Sequence, residues 1–153
     1  MPQLLIVHHT ASPATHELLD QVRTGASSPD FEGVEVVVKA ALEATPSDVL
    51  VADGYLLGTP ANLGYMSGAL KHFFDTIYYP CVESTQGRPF GAWVHGNNDT
   101  GGASAAIDKI ATGLAWRKAA PTLEITSALD APQREAAWEL GATLAALVSG
   151  ALS

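Results

Sequence analysis

The sequence predicts an α/β domain in which a mostly parallel sheet is covered by helices on both faces. Five apolar or β-branched strand segments alternate strictly with five helix segments along the 153 residues. That order is typical of a doubly wound sheet. The chain has no internal repeat and no stretch that resembles a linker, so we expect a single domain over residues 1–153.

The predicted strands are short runs that are rich in apolar residues and bounded by turn residues. The first is apolar without alternation, as expected of a strand covered on both faces. The second, VEVVVKA, is β-branched. Glycine, proline and threonine lie at the ends of the later segments. The five strand segments are residues 4–7, 34–40, 54–60, 89–96 and 121–126.

The predicted helices are indicated by apolar stripes and by capping signals. Met66, Leu70 and Phe73 begin a stripe at i, i+4 and i+7, so one face of this helix packs on the sheet. Thr45 and Asp130 are predicted N-caps, and each has a proline within the next two residues. We expect the five helices to begin near residues 13, 45, 66, 101 and 130.

Composition and charge exclude several classes of function. The formal net charge is −8, with 8 Lys and Arg against 16 Asp and Glu, so we expect no nucleic-acid partner. Cys81 is the single cysteine, which suits a reducing cytoplasm. We see no secretion signal, and the longest apolar stretch, residues 140–152, is too short to span a bilayer. We therefore expect a cytoplasmic protein without a membrane partner.

Three loops are candidates for a ligand site, because ligands of such sheets bind outside the carboxyl ends of the strands. They follow the first, third and fourth predicted strands, at residues 8–16, 58–68 and 95–104. All three are rich in Gly, Thr, Ser and Asn and poor in charge. This composition favours a ligand that brings its own charge and a flat ring.

The first of these loops has the features of an anion site without a cationic side chain. Ser12 is a predicted N-cap and Pro13 a natural first helical residue. Three amides would then be free at the start of the helix, those of Ala14, Thr15 and His16. With the helix dipole and the hydroxyls of Thr10, Ser12 and Thr15, they suit a terminal phosphate. The alternative is that the hydroxyls only cap the helix.

A more specific signal lies in residues 58–75. The stretch GTPANLGYMSGALKHFFD is similar to a motif of short NAD(P)H-dependent FMN reductases and quinone reductases. That motif reads Gly-(Ser/Thr)-Pro-x-x-x-Gly-x-Met-Ser-(Gly/Ala) and continues into a helix. Residues 52–60 and 96–104 add to the match. The chain therefore resembles this branch of the flavodoxin-like superfamily over essentially its whole length. The resemblance implies a three-layer α/β sandwich with a five-stranded parallel sheet in the order 2-1-3-4-5.

The resemblance also implies where FMN would bind. Its phosphate would be held by Thr10, Ser12, Ala14 and Thr15. The isoalloxazine ring would be lined by Thr59, Pro60, Ala61, Asn62, Leu63 and Gly64. Its other side would be closed by His95, Gly96, Asn97, Asn98, Thr100 and Gly102. We expect no catalytic side chain, because the flavin performs the chemistry, and no metal site.

The implied function is transfer of electrons from NAD(P)H, as co-substrate, through FMN to a small-molecule acceptor such as a quinone or a flavin. Two alternatives stay open. A flavodoxin-type electron carrier serving a protein partner is favoured by the net charge of −8. A flavodoxin-like module without flavin is favoured by Pro13, which removes one amide donor from the first loop.

A homodimer is a further expectation from the resemblance. In small reductases of this kind, a second subunit completes the flavin edge. Residues 78–89 are the candidate interface. Trp116 and Trp138 are two further candidates, because exposed tryptophan is uncommon on a monomer.

Overall fold

The computed structural model describes residues 1–31 and 33–150. The strands are β1 (Gln3–His8), β2 (Glu35–Ala40), β3 (Gly54–Asn62), β4 (Tyr65–Met66), β5 (Pro89–His95), β6 (Arg117–Lys118) and β7 (Leu123–Ile125). The helices are α1 (Pro13–Ala26), α2 (Pro46–Val51), α3 (Gly68–Cys81), α4 (Gly101–Gly113) and α5 (Ala131–Ser149), with a short 3-10 helix at Pro29–Phe31. All five predicted helices are present.

The main sheet has the predicted topology. The strand order is β2-β1-β3-β5, and both β6 and β7 then pair with the far edge of β5. Every pairing in this sheet is parallel. Counting β6 and β7 as one position, the order is 2-1-3-4-5, which confirms the flavodoxin-like α/β class expected from the sequence.

The number of strands differs from the prediction, since the structure has seven rather than five. The fifth position is divided between β6 and β7, where the sequence predicted one strand over residues 121–126. Pro121 lies between the two pieces and has no N–H group for the ladder, so pairing stops before it and resumes at Leu123. The strand β4 is the other addition.

The strand β4 forms a hairpin with the end of β3. The chain reverses through Leu63 and Gly64, and Ala61 then pairs antiparallel with Met66. Leu63 has a φ of 52° and Gly64 a φ of 72°. Two left-handed residues in a two-residue connection are the mark of the type I′ turn, which suits the twist of a hairpin. We call residues 60–66 the β3–β4 hairpin.

Two apolar cores cover the faces of the sheet. Leu5 and Val7 of β1 point into a core formed with α2, α3 and α4, whereas Leu4 and Ile6 point into a second core with α1 and α5. This alternation places helices on both faces, as predicted. None of the helices in the described ranges combines the length and the apolar character that crossing a membrane requires.

The tryptophans divide between the cores and the surface. Trp93 is buried, as expected of a residue in the middle of a strand. Trp116 is also buried and stacks on Tyr55, with 4.1 Å between the ring centroids. The suggestion that Trp116 marks an interface is therefore wrong, because its ring fills the first core. Trp138 is partly exposed.

Candidate functional site

The three predicted loops meet at one edge of the sheet. The strands β1, β3 and β5 are adjacent and parallel, so the loops that follow them are neighbours. The His9 amide donates to the carbonyl of Gly58 at 2.9 Å. A fourth loop joins them after β7, where the His95 Nε2 atom lies 3.0 Å from the carbonyl oxygen of Ser127. This fourth loop was not predicted from the sequence, since only the topology brings it to His95.

The loop between β1 and α1, residues 10–15, is folded around the buried hydroxyl of Thr15; we call it the phosphate loop. Thr15 Oγ1 accepts from the amides of Ala11 and Ser12 at 3.0 and 2.9 Å. It donates within the loop, to the carbonyl or the hydroxyl oxygen of Ser12, each at 3.0 Å. Thr15 therefore shapes the loop and has no proton left for a ligand.

The helix cap also engages two of the amides that the sequence predicted to be free. The Thr15 amide donates to Ser12 Oγ at 3.2 Å, and the His16 amide donates to the Ser12 carbonyl at 2.9 Å. This correction follows from the full capping box at Ser12. The amides of Thr10 and Ala14 have no hydrogen-bond partner in the described part of the chain. With the hydroxyls of Thr10 and Ser12, they remain as donors at the positive end of α1.

His8 positions one of these donors. Its Nδ1 atom lies 2.9 Å from Thr10 Oγ1. Burial, and then the neighbouring His9, lower the pKa of His8, which is therefore neutral at pH 7. When Nδ1 carries the ring proton, it donates to Thr10 and leaves the threonine hydroxyl free to donate outward. The contact between His8 and Thr10 was not predicted from the sequence.

The predicted ring-lining residues do not all lie at the surface. Thr59 is completely buried. Its Oγ1 accepts from the Ser67 amide at 3.0 Å and donates to the Pro60 carbonyl at 2.7 Å. Thr59 therefore ties the hairpin to the N-cap of α3. The other five residues lie in the hairpin, where Leu63 is fully exposed at its tip.

The hairpin packs directly against the third predicted loop, residues 95–104, which we call the third loop. A Cβ atom at Gly102 would lie 1.8 Å from the carbonyl oxygen of Gly64. A Cβ atom at Gly96 would lie 2.9 Å from that of Ala61. Only glycine permits such close approach of backbone. The structure thus brings residues 60–64 and 96–102 together. That the third loop closes the other side of a ring stays a prediction.

The remaining third-loop residues divide into exposed and anchored ones. Asn97 and Asn98 are exposed. Thr100 is buried and donates to Glu124 Oε1 at 2.9 Å. Thr100 makes no capping hydrogen bond to α4, so the first amides of that helix lack the acceptor that an N-cap side chain usually supplies. These amides and the two asparagine side chains are donors beside the hairpin. Asp99 places a carboxylate near the same turn, 3.1 Å from the position of a Cβ at Gly64.

The described residues show no metal centre. No group of three or more His, Cys, Asp or Glu side chains in the described ranges could hold a metal ion.

The segment predicted as a dimer interface is partly exposed and partly buried. Within residues 78–89, Tyr79 is exposed, whereas Cys81 and Thr85 are buried. The homodimer therefore stays a prediction.

The chain is similar in sequence to a known protein family and to a known protein. The sequence model of the NADPH-dependent FMN reductase family matches residues 12–131. A flavodoxin from Aquifex aeolicus (strain VF5) is 40% identical over 77 residues, which are 50% of this chain and 40% of that protein. The matched part therefore spans less than half of that relative.

Solved structures show the same fold at low identity. The flavodoxin WrbA-like protein from Agrobacterium tumefaciens is 20% identical, with a TM-score of 0.76 over 98% of this chain and 99% of that chain. A flavodoxin from the domain Archaea is 18% identical, with a TM-score of 0.81 over 95% and 98%. The flavodiiron protein from Giardia intestinalis is 14% identical, with a TM-score of 0.80 over 97% of this chain and 36% of that chain. The chain has the flavodoxin-like fold and belongs to the NADPH-dependent FMN reductase family.

Proposed function

We propose that this chain binds FMN at the carboxyl edge of its sheet and passes electrons from NAD(P)H to a small acceptor such as a quinone or a flavin. FMN, when bound, supplies the hydride and electron chemistry. The phosphate loop is the observation that supports this proposal most directly, because it presents unpaired donors at a helix start in a member of the FMN reductase family.

The donors of the phosphate loop fit a terminal phosphate. The amides of Thr10 and Ala14 and the hydroxyls of Thr10 and Ser12 would hold it. The positive end of α1 supplies the favourable field that a lysine or arginine would otherwise provide. Thr15 keeps the loop in this shape from inside. Pro13 occupies the first helical position, where its missing N–H group is least harmful.

The flavin ring would lie against the hairpin and the third loop. The close packing of Gly64 on Gly102 makes these two loops one continuous surface. The amides at the start of α4, which have no side-chain cap, and the exposed Asn97 and Asn98 would face the polar edge of the ring. Such donors stabilise the negative charge that develops when a flavin is reduced.

Direct reduction by a nicotinamide needs an open ring face. Tyr65, which is 40% exposed, is the one aromatic residue of the β3–β4 hairpin, and residues 95–104 contain none. With so little aromatic cover, one face would be available for a nicotinamide and then for an acceptor. No side chain needs to act as acid or base, so the chain's part is to bind and orient.

An electron carrier is the second candidate. The 40% identity to the Aquifex flavodoxin over half of this chain favours it. The net charge of −8 also favours a carrier, because an acidic surface can steer a protein to a basic partner. The two candidates share FMN and differ in whether NAD(P)H reduces the protein directly.

Titration with FMN tests the shared part of the proposal. The purified chain is titrated with FMN and, separately, with riboflavin, while the flavin fluorescence is followed. We expect FMN to bind more tightly by at least about tenfold, because riboflavin lacks the phosphate that the loop would hold. Absence of FMN binding would contradict the proposed function, and equal affinities would contradict the assignment of the phosphate loop.

A further inference from the structure

The side chains of the phosphate loop and of its flanking residues carry no permanent positive charge. Residues 8–16 contain no lysine or arginine, and their only basic side chains are those of His8, His9 and His16. A phosphate monoester carries a charge of about −1.5 to −2 at pH 7. Its binding therefore favours a neighbouring group that can take up a proton.

His8 is the histidine that contacts a donor of the phosphate loop. Its Nδ1 atom lies 2.9 Å from Thr10 Oγ1. The side chain of His16 is exposed and pairs with Asp20 at 3.3 Å. The Nδ1 atom of His9 is buried and has no partner in the described part of the chain, which disfavours the charged form of that ring. A phosphate held by Thr10 would be separated from the His8 ring by a single hydroxyl group.

The neutral ring of His8 allows two arrangements of its hydrogen bond with Thr10. When the ring proton is on Nδ1, His8 donates, and the Thr10 hydroxyl is free to donate to a phosphate. When the ring proton is on Nε2, Thr10 donates to Nδ1 and has no proton left for a ligand. Protonation of the ring removes the second arrangement, because both nitrogens are then donors. It therefore adds a positive charge and also directs the Thr10 hydroxyl proton toward the ligand.

The surroundings of His8 keep the ring neutral at pH 7 and still give a proton access to it. Burial lowers the pKa of His8 most, His9 and Arg23 lower it further, and Glu43 raises it. The Nε2 atom has no hydrogen-bond partner in the described part of the chain and is not one of the buried unpaired atoms, so water reaches it. His8, Thr10 and Glu43 also line one cavity of about 250 Å³. A proton can thus reach the ring while the bond to Thr10 stays in place.

We propose that His8 is a positioning residue of the phosphate site and takes up a proton when a phosphate monoester binds there. The proton comes from water and enters the ring nitrogen that lacks one, so the imidazolium donates to Thr10 and Thr10 donates to the phosphate. The inference rests on the phosphate site of the proposed function and not on the reaction with NAD(P)H. Because the bound phosphate raises the pKa of His8, the affinity for FMN increases as the pH falls.

The pH dependence of flavin binding tests this inference. The flavin-free protein is titrated by calorimetry with FMN and with riboflavin at about pH 8 and at about pH 5.5, on either side of the ordinary histidine pKa. His8→Asn is the matched variant, because its Nδ2 amide can donate from the position of Nδ1 and does not titrate.

The result is expressed as the ratio of the wild-type affinity to that of His8→Asn, which cancels the titration of the phosphate itself. We expect this ratio for FMN to increase about 3- to 10-fold from pH 8 to pH 5.5. The ratio for riboflavin, which has no phosphate, should stay constant. His16→Asn is the control, since the His16 side chain is exposed and pairs with Asp20; it should keep the pH dependence of the wild type.

The NMR signals of the His8 ring give a measurement that needs no variant. They are followed through a pH titration of the wild type alone, with FMN and with riboflavin. We expect FMN to raise the pKa of His8 and riboflavin to leave it unchanged. A His8 pKa that FMN does not raise would overturn the inference. So would the same pH dependence of FMN binding in the wild type and in His8→Asn, or its loss in His16→Asn instead.

Failure of the proposed function would give a different pattern. If the wild type does not bind FMN, the proposed function fails, and the same NMR titration with phenyl phosphate, a simple phosphate monoester, still decides whether His8 takes up a proton. If FMN binds more tightly than riboflavin and the His8 signals do not respond, the inference fails alone.

Discussion

The carbonyl oxygen of Gly64 lies 1.8 Å from the position that a Cβ atom of residue 102 would occupy. The tip of the hairpin and the start of α4 are therefore in backbone contact. This contact converts two loops, which are far apart in sequence, into one surface at the edge of the sheet. It also explains why the third loop needs glycine at this point.

Gly102→Ala should separate the hairpin from α4. Overpacking of this kind costs about 1–3 kcal/mol of unfolding free energy, and we expect FMN binding to weaken because the surface is disrupted. Gly101→Ala is the matched control, since the nearest atom to its Cβ would be Asp99 Oδ1 at 4.0 Å. Urea unfolding and FMN titration of both variants check this. Equal effects of the two substitutions would show that the contact does not matter.

Thr10 and Thr15 should respond differently to replacement by valine. Thr10→Val removes a donor to the phosphate, so the affinity for FMN should fall by about 1–3 kcal/mol while the affinity for riboflavin and the stability stay close to those of the wild type. Thr15→Val leaves the amides of Ala11 and Ser12 without their acceptor. It should therefore lower the unfolding free energy by about 1–3 kcal/mol and weaken both flavins.

Titration of each threonine variant with FMN and riboflavin, together with urea unfolding, separates these effects. A Thr10→Val variant that loses as much affinity for riboflavin as for FMN would contradict a phosphate role for this hydroxyl.

Leu63 occupies a strained position at the tip of the hairpin. A left-handed conformation costs an L-residue about 1–2 kcal/mol, whereas asparagine tolerates it and Asn-Gly is the favoured pair in type I′ turns. Because the Leu63 side chain is fully exposed, its removal loses no packing. We expect Leu63→Asn to raise the unfolding free energy by about 0.5–1 kcal/mol. Leu63→Ala is the control; an equal gain from it would mean that the turn conformation is not the cause.

Tyr55 should make the stability depend on pH in the alkaline range. Its hydroxyl donates to the Val49 carbonyl at 2.6 Å, and Arg88 donates to it at 3.2 Å. Burial, opposed in part by the hydrogen bond from Arg88, raises the pKa of Tyr55 to about 12. Because tyrosine in the unfolded chain titrates near pH 10, this group stabilises the fold fully below pH 10. That stabilisation is lost as the pH rises from about 10 to about 12.

Comparison with Tyr55→Phe isolates this contribution. The difference in unfolding free energy between the wild type and the variant should shrink by up to about 2–3 kcal/mol between pH 10 and pH 12. Urea unfolding at several pH values measures it. A difference that stays constant over this range would show that Tyr55 does not titrate as described.

Local signals account for the parts of the fold that the sequence predicted well. Thr45 and Asp130 are the N-caps of α2 and α5, as predicted, because a cap depends only on nearby residues. The division of the last strand at Pro121 and the β3–β4 hairpin were not predicted. A type I′ turn is usually marked by Asn-Gly, and here Leu63 takes the first position against its own preference.

The sequence predicted that the three loops meet at one edge of the sheet, but not the hydrogen bonds within them. The order of strands places the phosphate loop, the hairpin and the third loop at one edge, which the alternation of elements implied. Sequence spacing did not indicate that Thr15 and Thr59 would bond inward. Those bonds depend on how each loop closes on itself and on its neighbours, which only the folded chain determines.

Anaerobic mixing of the FMN-loaded protein with NADPH, and separately with NADH, tests the central claim most directly. A reductase of this family should show loss of the oxidised flavin absorbance on mixing, with one nicotinamide oxidised per flavin and without any added enzyme. An unchanged absorbance that falls only when a separate reductase is supplied would contradict the proposed reductase and identify the chain as an electron carrier.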